Sequence, residues 1–437
     1  MPDNRKTITV IMLNAILMGL GWSVWTSLFN NFAVEEIGVQ AAQIGLIQSV
    51  REVPGLLGIL VGMLALVLVE IRIAGLSLVM LGAGVLLTSV VRDVSGLIGA
   101  TLLLSVGFHF FYPSNVSALL LTQERDEAPK TLGRMNSFQA VATVVGSVAI
   151  FVALDAWGYR PLLRVAGLVV VVGGLALLPF GTQRRAAREG GRRKVLRRRY
   201  WLYYALKFNG GSRRNIFRTF AVFLLVQQYQ VSAQTVTLLY LINSFLGVYL
   251  HQAFGKIVAR HGERRVLAFS YALLVPIFLG YAFVPLLQPL ATPAFQTPPL
   301  GVGGLTLFPA MDATPALMIL LGLFVADMVM MGFSIALDSY LQKIAETPAD
   351  ITPSVAMGQS FDHIAAVTMP LAGGAIWAAV GAQYTFAVGV VIALVSLGLT
   401  HFMRVEGQAG GVCAEGDMIA TPPTWAPTQN PSQGCGD

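Results

Sequence analysis

Residues 200 to 226 read YWLYYALKFNGGSRRNIFRTFAVFLLV, and Lys207, Arg213, Arg214 and Arg218 interrupt a run otherwise long enough to cross a bilayer. Starting the span at Thr219 leaves only TFAVFLLV before Gln227, which is too short. A cation in hydrocarbon costs about 2.5–3.5 kcal/mol on an insertion scale, so four cost roughly 10 kcal/mol unless each meets an acid, water or an anion. A helix turns by about 100° per residue, so Lys207, Arg214 and Arg218 fall on one stripe roughly 40° wide and about 16 Å long. Arg213 falls on another face, and Gly210-Gly211 allow close helix approach at this level.

The acids expected inside spans are Glu52, Asp327 and Asp362, three against the five cations obtained by adding Arg51 to the four above. The interior then has about two positive charges to spare, and an anion is the simplest substance to complete it. Two readings follow. In one, Arg214 and Arg218 bind a small anionic substrate, with Lys207 nearer the inner mouth. In the other, the cations are mostly structural pairs, Arg213 above all. Arg51 and Glu52 are neighbours on different helix faces, so each is expected to find its partner across an interface.

Proton coupling needs groups that titrate, and the candidates are Asp362, His363, Asp327, Glu52 and His109. The adjacent Asp362-His363 is the preferred pair. A membrane histidine such as His109 more often serves as an interhelical hydrogen-bonder. The same five side chains offer oxygen and nitrogen ligands to a divalent metal, and whether one binds is left open. The arginines disfavour a naked cation, whereas an anionic metal chelate suits both sets.

These residues need a scaffold, and the composition names its class. The 437-residue chain is 55% hydrophobic and 12% charged, with mean hydropathy +0.69; soluble domains carry about 25% charged residues. Apolar windows and turn signals predict an all-α polytopic membrane protein with twelve spans, near 8–29, 43–69, 73–91, 95–121, 136–156, 162–180, 200–226, 233–254, 265–286, 314–337, 354–379 and 383–403. The first apolar run is span-length and lacks a small-residue cleavage site, so no cleavable leader is expected. Basic residues concentrate on one side of this topology, while the other holds only Arg92, Arg160 and Arg164. The positive-inside rule then makes both termini cytoplasmic.

The organisation predicted is a six-helix half over 1–181, a basic cytoplasmic linker over 182–199, a second half over 200–404 and a flexible tail over 405–437. The linker QRRAAREGGRRKVLRRR reads as a solvated positive-inside segment that could meet anionic lipid headgroups, not as a nucleic-acid arm. Residues 284–313 read as a Pro/Gly-rich extracytoplasmic loop. Cys413 and Cys435 both fall in the tail and match no disulfide or metal spacing. Short repeats support two halves: Val34, Val39 and Ala41 match Val226, Val231 and Ala233, and Ser137-Phe138 match Ser360-Phe361. Pro54, Pro113, Pro276 and Pro370 mark expected kinks.

After span eight stands GKIVARHGERR, residues 255 to 265, which resembles the cytoplasmic loop signature G-x-x-x-D-R-x-G-R-R of the major facilitator superfamily. Gly255, Arg260, Gly262, Arg264 and Arg265 occupy the pattern's positions, while Ala259 replaces its acid. The first-half counterpart is degenerate, with Glu70 and Arg72 as remnants, and MPLAGG from Met369 resembles the family's Pro/Gly pattern in span eleven. The resemblance extends over about residues 8 to 404 and implies the major facilitator fold: two six-helix halves and alternating access about a midplane site. Asp338, near the cytoplasmic end of span ten, is expected to pair with Arg264 or Arg265 as an inner gate. A fainter similarity, carried by MPDNRK with SVREVPG, GSRRNIFRTFAVFLLV and SFDHIAAV, is to bacterial major facilitator proteins that include magnetosome-membrane members implicated in iron handling.

No P-loop, His/Cys metal cluster or nucleophile elbow is present, so an enzyme is not expected and no cofactor is implied. The expected function is secondary transport of a small anionic solute or anionic metal chelate, with proton coupling through Asp362 and His363. The expected location is a bacterial inner membrane, or one derived from it such as the magnetosome. Alternatives are an iron transporter of that membrane, and a non-transporting sensor or assembly factor that kept the fold. The expected partners are the lipid bilayer and a small-molecule or ion substrate.

Overall fold

A computed structural model describes residues 4–57, 61, 64, 67–122, 128–180, 197–287, 295–302, 305–308, 311–346 and 348–404. Most of the 182–199 linker and the whole tail lie outside them. The first half comprises α1 (Asn4–Asn31), continued by a π-helical turn at Phe32–Glu36, then α2 (Ala41–Leu56), α3 (Glu70–Thr88), α4 (Val94–Thr122), α5 (Ala128–Trp157) and α6 (Tyr159–Leu177). The second comprises α7 (Trp201–Tyr229), α8 (Ala233–His261), α9 (Glu263–Phe283), α10 (Pro315–Met331) and α11 (Ile335–Ile344), joined by one 3₁₀ turn, then α12 (Pro348–Val380) and α13 (Ala382–Leu399). Counting α10 and α11 as one passage gives twelve among the described residues, as expected.

In the first half the helix ends meet as alternating directions require. Asn4 meets the carbonyl of Thr122 at one end, and Arg160 meets Glu36 at the other. The outward faces are apolar over span length: Val141, Val145, Val148 and Val152 on α5, and Val165, Leu168, Val172 and Leu175 on α6, are exposed. Such stripes are stable against lipid and not against water.

The V-x4-V-x-A repeat read from the sequence is a repeated backbone device. Val39 N–H bonds to Ala33 O at 2.9 Å, and Val231 N–H to Leu225 O at 3.2 Å. Between them the chain turns left-handed at Gly38 (φ +75°) and at Gln230 (φ +52°), which closes each helix end. Likewise Gly158 and Gly381 carry positive φ before α6 and α13. Their N–H groups bond to Leu154 O and Trp377 O.

The 284–313 loop holds four short strands, β1 (Phe295–Thr297), β2 (Leu300–Val302), β3 (Leu305–Phe308) and β4 (Met311–Ala313), paired antiparallel as β1 with β4 and β2 with β3. The Pro/Gly-rich composition marked the segment as a loop and carried no strand signal. Where Arg197 leaves the linker, its guanidinium grips the buried carboxylate of Asp350 on α12 at 2.8 Å.

Candidate functional site

Helix α2 packs along α12, and this seam joins the halves. It closes because small residues face one another: a Cβ on Gly45 would lie 2.3 Å from Pro370 O, and one on Gly374 would lie 2.7 Å from Ala41 O. At the end opposite the N-terminus three polar bridges also cross between halves. Asn31 Nδ2 donates to Val231 O at 2.8 Å, Gln227 Nε2 to Gln40 Oε1 at 3.3 Å and Gln234 Nε2 to Asp155 Oδ1 at 2.7 Å.

The cations of α7 separate into two settings. Lys207, Arg213 and Arg214 line a cavity of about 320 Å³ inside the second half, between α7, α9, α10–α11 and α12. Each has an acid. Lys207 Nζ lies 2.7 Å from Asp338 Oδ1, Arg213 Nη1 lies 2.8 Å from the fully buried Asp327, and Arg214 forms a tight pair with Asp362. Arg218, one turn further on, borders a separate small cavity of about 30 Å³ between the halves. Trp22, Trp25 and Phe29 of α1, Gln48 and Arg51 of α2 and Tyr240 of α8 complete it. Arg218 is exposed and faces this space between the halves. Among the described residues, no carboxylate lies within 4.0 Å of its guanidinium.

The geometry corrects several expectations. Asp338 does not join Arg264 or Arg265, which are exposed; the first turn of α11 runs beside α7, so its carboxylate reaches Lys207. The buried acid of the 255–265 loop is Glu263, held by Lys343 at 2.7 Å and by Ser339. Arg260 is exposed, Gly262 supplies the positive φ that starts α9, and the side-chain surroundings of Gly255 lie outside the described residues. Arg51 and Glu52 pair with each other at 2.8 Å, because a long guanidinium can fold back although the two Cβ bonds diverge. With Asp338 neutralising Lys207, the five cations face four acids, so one charge is in excess where two were expected. Arg214 and Arg218 share a helical stripe but not a cavity.

Asp362 and His363 are adjacent in sequence and therefore face apart. Asp362 turns to Arg214, whereas His363 Nδ1 lies 3.6 Å from Glu52 Oε2. His109 Nε2 approaches the same oxygen at 3.6 Å. Of the five proposed metal ligands, Glu52, His109 and His363 converge, while Asp327 and Asp362 are committed to arginines.

Sequence reasoning missed the uncharged members of the central cavity. Asn30 Oδ1, Gln48 Oε1 and Thr26 Oγ1 line it, are buried, and have no protein hydrogen-bond partner. Amides inside the apolar spans one and two were the available signal.

A twelve-helix bundle in two halves, with a polar cavity between them, is a transporter architecture. The model of the Major Facilitator Superfamily matches residues 11–346. The chain belongs to that superfamily. Among solved structures, a mutant of the nucleoside transporter NupG aligns with TM-score 0.71 and 12% identity, covering 91% of this chain and 99% of that one. A bacterial homolog of the human lysosomal transporter Spinster, in an inward-facing and occupied conformation, aligns with TM-score 0.69 and 12% identity, covering 92% and 97%. A comparison with curated proteins found no match. At this identity the likeness establishes the fold, and the family establishes a multi-pass membrane transporter rather than an enzyme.

Proposed function

We propose that the chain moves a small anionic solute across its membrane by alternating access, binding it at Arg218 between the two halves. One observation carries this reading: among the described residues, Arg218 is the cation of α7 with no carboxylate within 4.0 Å, and it faces the cavity that both halves build. A guanidinium with no carboxylate in contact favours an anion over a neutral or cationic solute. Arg51 adds positive potential from α2, and the unpartnered atoms of Asn30, Gln48 and Thr26 offer hydrogen bonds for the solute's polar groups. Trp22, stacked on Phe108 with ring centroids 3.9 Å apart, gives the site a flat apolar wall. A cavity of about 30 Å³ admits only one or two water-sized bodies, so uptake requires the halves to part. The three polar bridges opposite the N-terminus describe a form closed at that end.

Proton coupling fits the Arg214–Asp362 pair, which borders the larger cavity and links α7 to α12. Protonation of Asp362 would release Arg214 and raise the positive potential next to Arg218, coupling proton entry to anion affinity.

The test uses the full chain in proteoliposomes with an imposed pH gradient, comparing radiolabelled organic anions with neutral and cationic solutes. Uptake of an anion is expected to fall at least tenfold in Arg218→Gln and to recover in part in Arg218→Lys. Asp362→Asn should leave exchange of that anion intact while abolishing its response to the gradient. Native-rate transport by Arg218→Gln, or equal uptake of a neutral solute, would refute the assignment.

A further inference from the structure

Among the described residues, Glu52, whose Oε1 pairs with Arg51, turns its other oxygen to His109 and His363 in a cluster that the Arg218 cavity does not include. We propose that these three side chains form a binding site for a divalent transition-metal ion, built across the seam between the halves. Glu52 comes from α2 and His109 from α4 of the first half, whereas His363 comes from α12 of the second.

Three independent features support it. Geometry is the first. His109 Nε2 and His363 Nδ1 each lie 3.6 Å from Glu52 Oε2, and the three ligand atoms lie within 4.8 Å of one another. Ligands about 2.0–2.2 Å from a tetrahedral zinc stand roughly 3.3–3.6 Å apart, so an ion fits between them with small side-chain adjustments.

The outer contacts are the second. A metal-binding imidazole needs its other nitrogen held, to fix both ring and tautomer. His109 Nδ1 lies 3.0 Å from both Oγ and O of Ser105, one turn earlier on α4, which leaves Nε2 aimed at the cluster. Arg51 Nη2 sits 2.8 Å from Glu52 Oε1, which orients the carboxylate and leaves Oε2 for the cluster. The buried His363 Nδ1 has no hydrogen-bond partner.

The third is the space itself. Gly55, one turn after Glu52 on α2, lies against both rings. A Cβ there would stand 2.6 Å from His363 Nδ1 and Cε1 and 2.9 Å from His109 Cδ2. The absence of a side chain at position 55 is what lets the two imidazoles converge.

Two neutral imidazoles and one carboxylate favour zinc, iron(II), cobalt(II) or manganese(II) over calcium or magnesium, which prefer all-oxygen sites. Three protein ligands leave coordination positions open. Because the ligands come from both halves, the ion binds the arrangement in which α2 and α12 are seated as here, and separation of the seam removes His363. The site therefore acts as a staple between the halves, and this holds whatever the transported solute is.

The experiment uses the purified full chain with its affinity tag removed and Cys413 and Cys435 changed to Ser, so that tail thiols do not contribute. Titration with Co²⁺ is followed by visible ligand-field absorption, and with Zn²⁺ by calorimetry. One ion per chain is expected, with a spectrum of nitrogen and oxygen ligation. His109→Gln, His363→Gln and Glu52→Gln should each weaken binding at least tenfold. Gly55→Ala, which removes no ligand, should weaken it too. Zn²⁺ should raise the thermal unfolding temperature of the native chain and not of His363→Gln. Each variant's unfolding temperature without metal, set against the native chain, separates lost ligation from lost folding. No saturable binding, or binding undiminished in folded His363→Gln and Glu52→Gln, would overturn the site. Transport of an anion in the assay above neither supports nor weakens it.

Discussion

Asp327→Asn should destabilise the second half more than any other single charge removal on α7 or its partners. Asp327 is fully buried, Arg213 is 10% exposed, and they meet at 2.8 Å. At that separation the Coulomb attraction is about 6 kcal/mol for an effective dielectric constant near 20. Burying both ions cancels much of it, so the intact pair contributes little compared with an apolar pair of equal volume. Removing one partner is different, because the stranded charge retains its desolvation cost and loses its compensation, about 3–5 kcal/mol. With an unfolding entropy of about 2.1 cal/mol/K per residue over some 400 residues, that corresponds to a fall of roughly 5 °C in unfolding temperature. The assay is thermal unfolding of purified protein in detergent for Asp327→Asn, Arg213→Leu and the double variant Asp327→Leu/Arg213→Leu. The double variant is expected to recover most of the loss suffered by Asp327→Asn. The reasoning is refuted if Asp327→Asn unfolds within 1 °C of the native chain, or if the double variant is no more stable than Asp327→Asn.

Gln230 adopts the left-handed conformation that Gly38 adopts in the other repeat. Gln230→Gly should therefore stabilise the chain by about 0.5–1 kcal/mol, offset in part by loss of the side-chain bond to Gln227 O, and a lower unfolding temperature would contradict this. Gly374→Val places its Cβ 2.7 Å from the backbone oxygen of Ala41, with two methyl groups still to accommodate. It is expected to abolish uptake in proteoliposomes through the seam rather than through the solute site, so that detergent-solubilised Gly374→Val still binds the anion; loss of binding together with uptake would show that the seam and the site are not separable.

The fold was legible because its causes are local. Span-length apolar runs, basic turns and the V-x4-V-x-A repeat each reflect a physical need of one segment, and the repeat proved to be a shared helix-ending hydrogen bond at Val39 and Val231. The small strands of the 284–313 loop were not legible, since three- and four-residue pairings leave no periodicity to read. Within the site, residue type was legible and partnership was not. Helical angles placed Lys207, Arg214 and Arg218 on one stripe, but a stripe crosses several neighbours as it descends, and Asp338, Asp362 and the central cavity divide it between them. The reach of Arg51 to its own neighbour Glu52 likewise depends on side-chain torsions that spacing does not constrain. The convergence of His109 and His363 rested on Gly55, a residue with no chemistry of its own.

The division of the α7 cations explains how so many charges can be held in a transporter without fixing it in one state. Lys207, Arg213 and Arg214 are bound by acids of α10–α12, all within the second half, so these pairs can travel as a unit when the halves move. A pair that crossed the seam would instead have to break in each cycle, at a cost of several kcal/mol once desolvated. Among the described residues, the salt bridge that does cross is the longer and conditional one between Glu52 and His363, at 3.6 Å. The Arg218 excess therefore sits on the second half, and among the described residues lining its cavity the first half offers Arg51 and amides rather than a carboxylate. Closure around it without an anion brings two guanidinium groups together, while closure with an anion neutralises one of them. On this proposal the bound solute lowers the barrier to the occluded form, which is the condition a carrier needs to move its substrate rather than cycle empty.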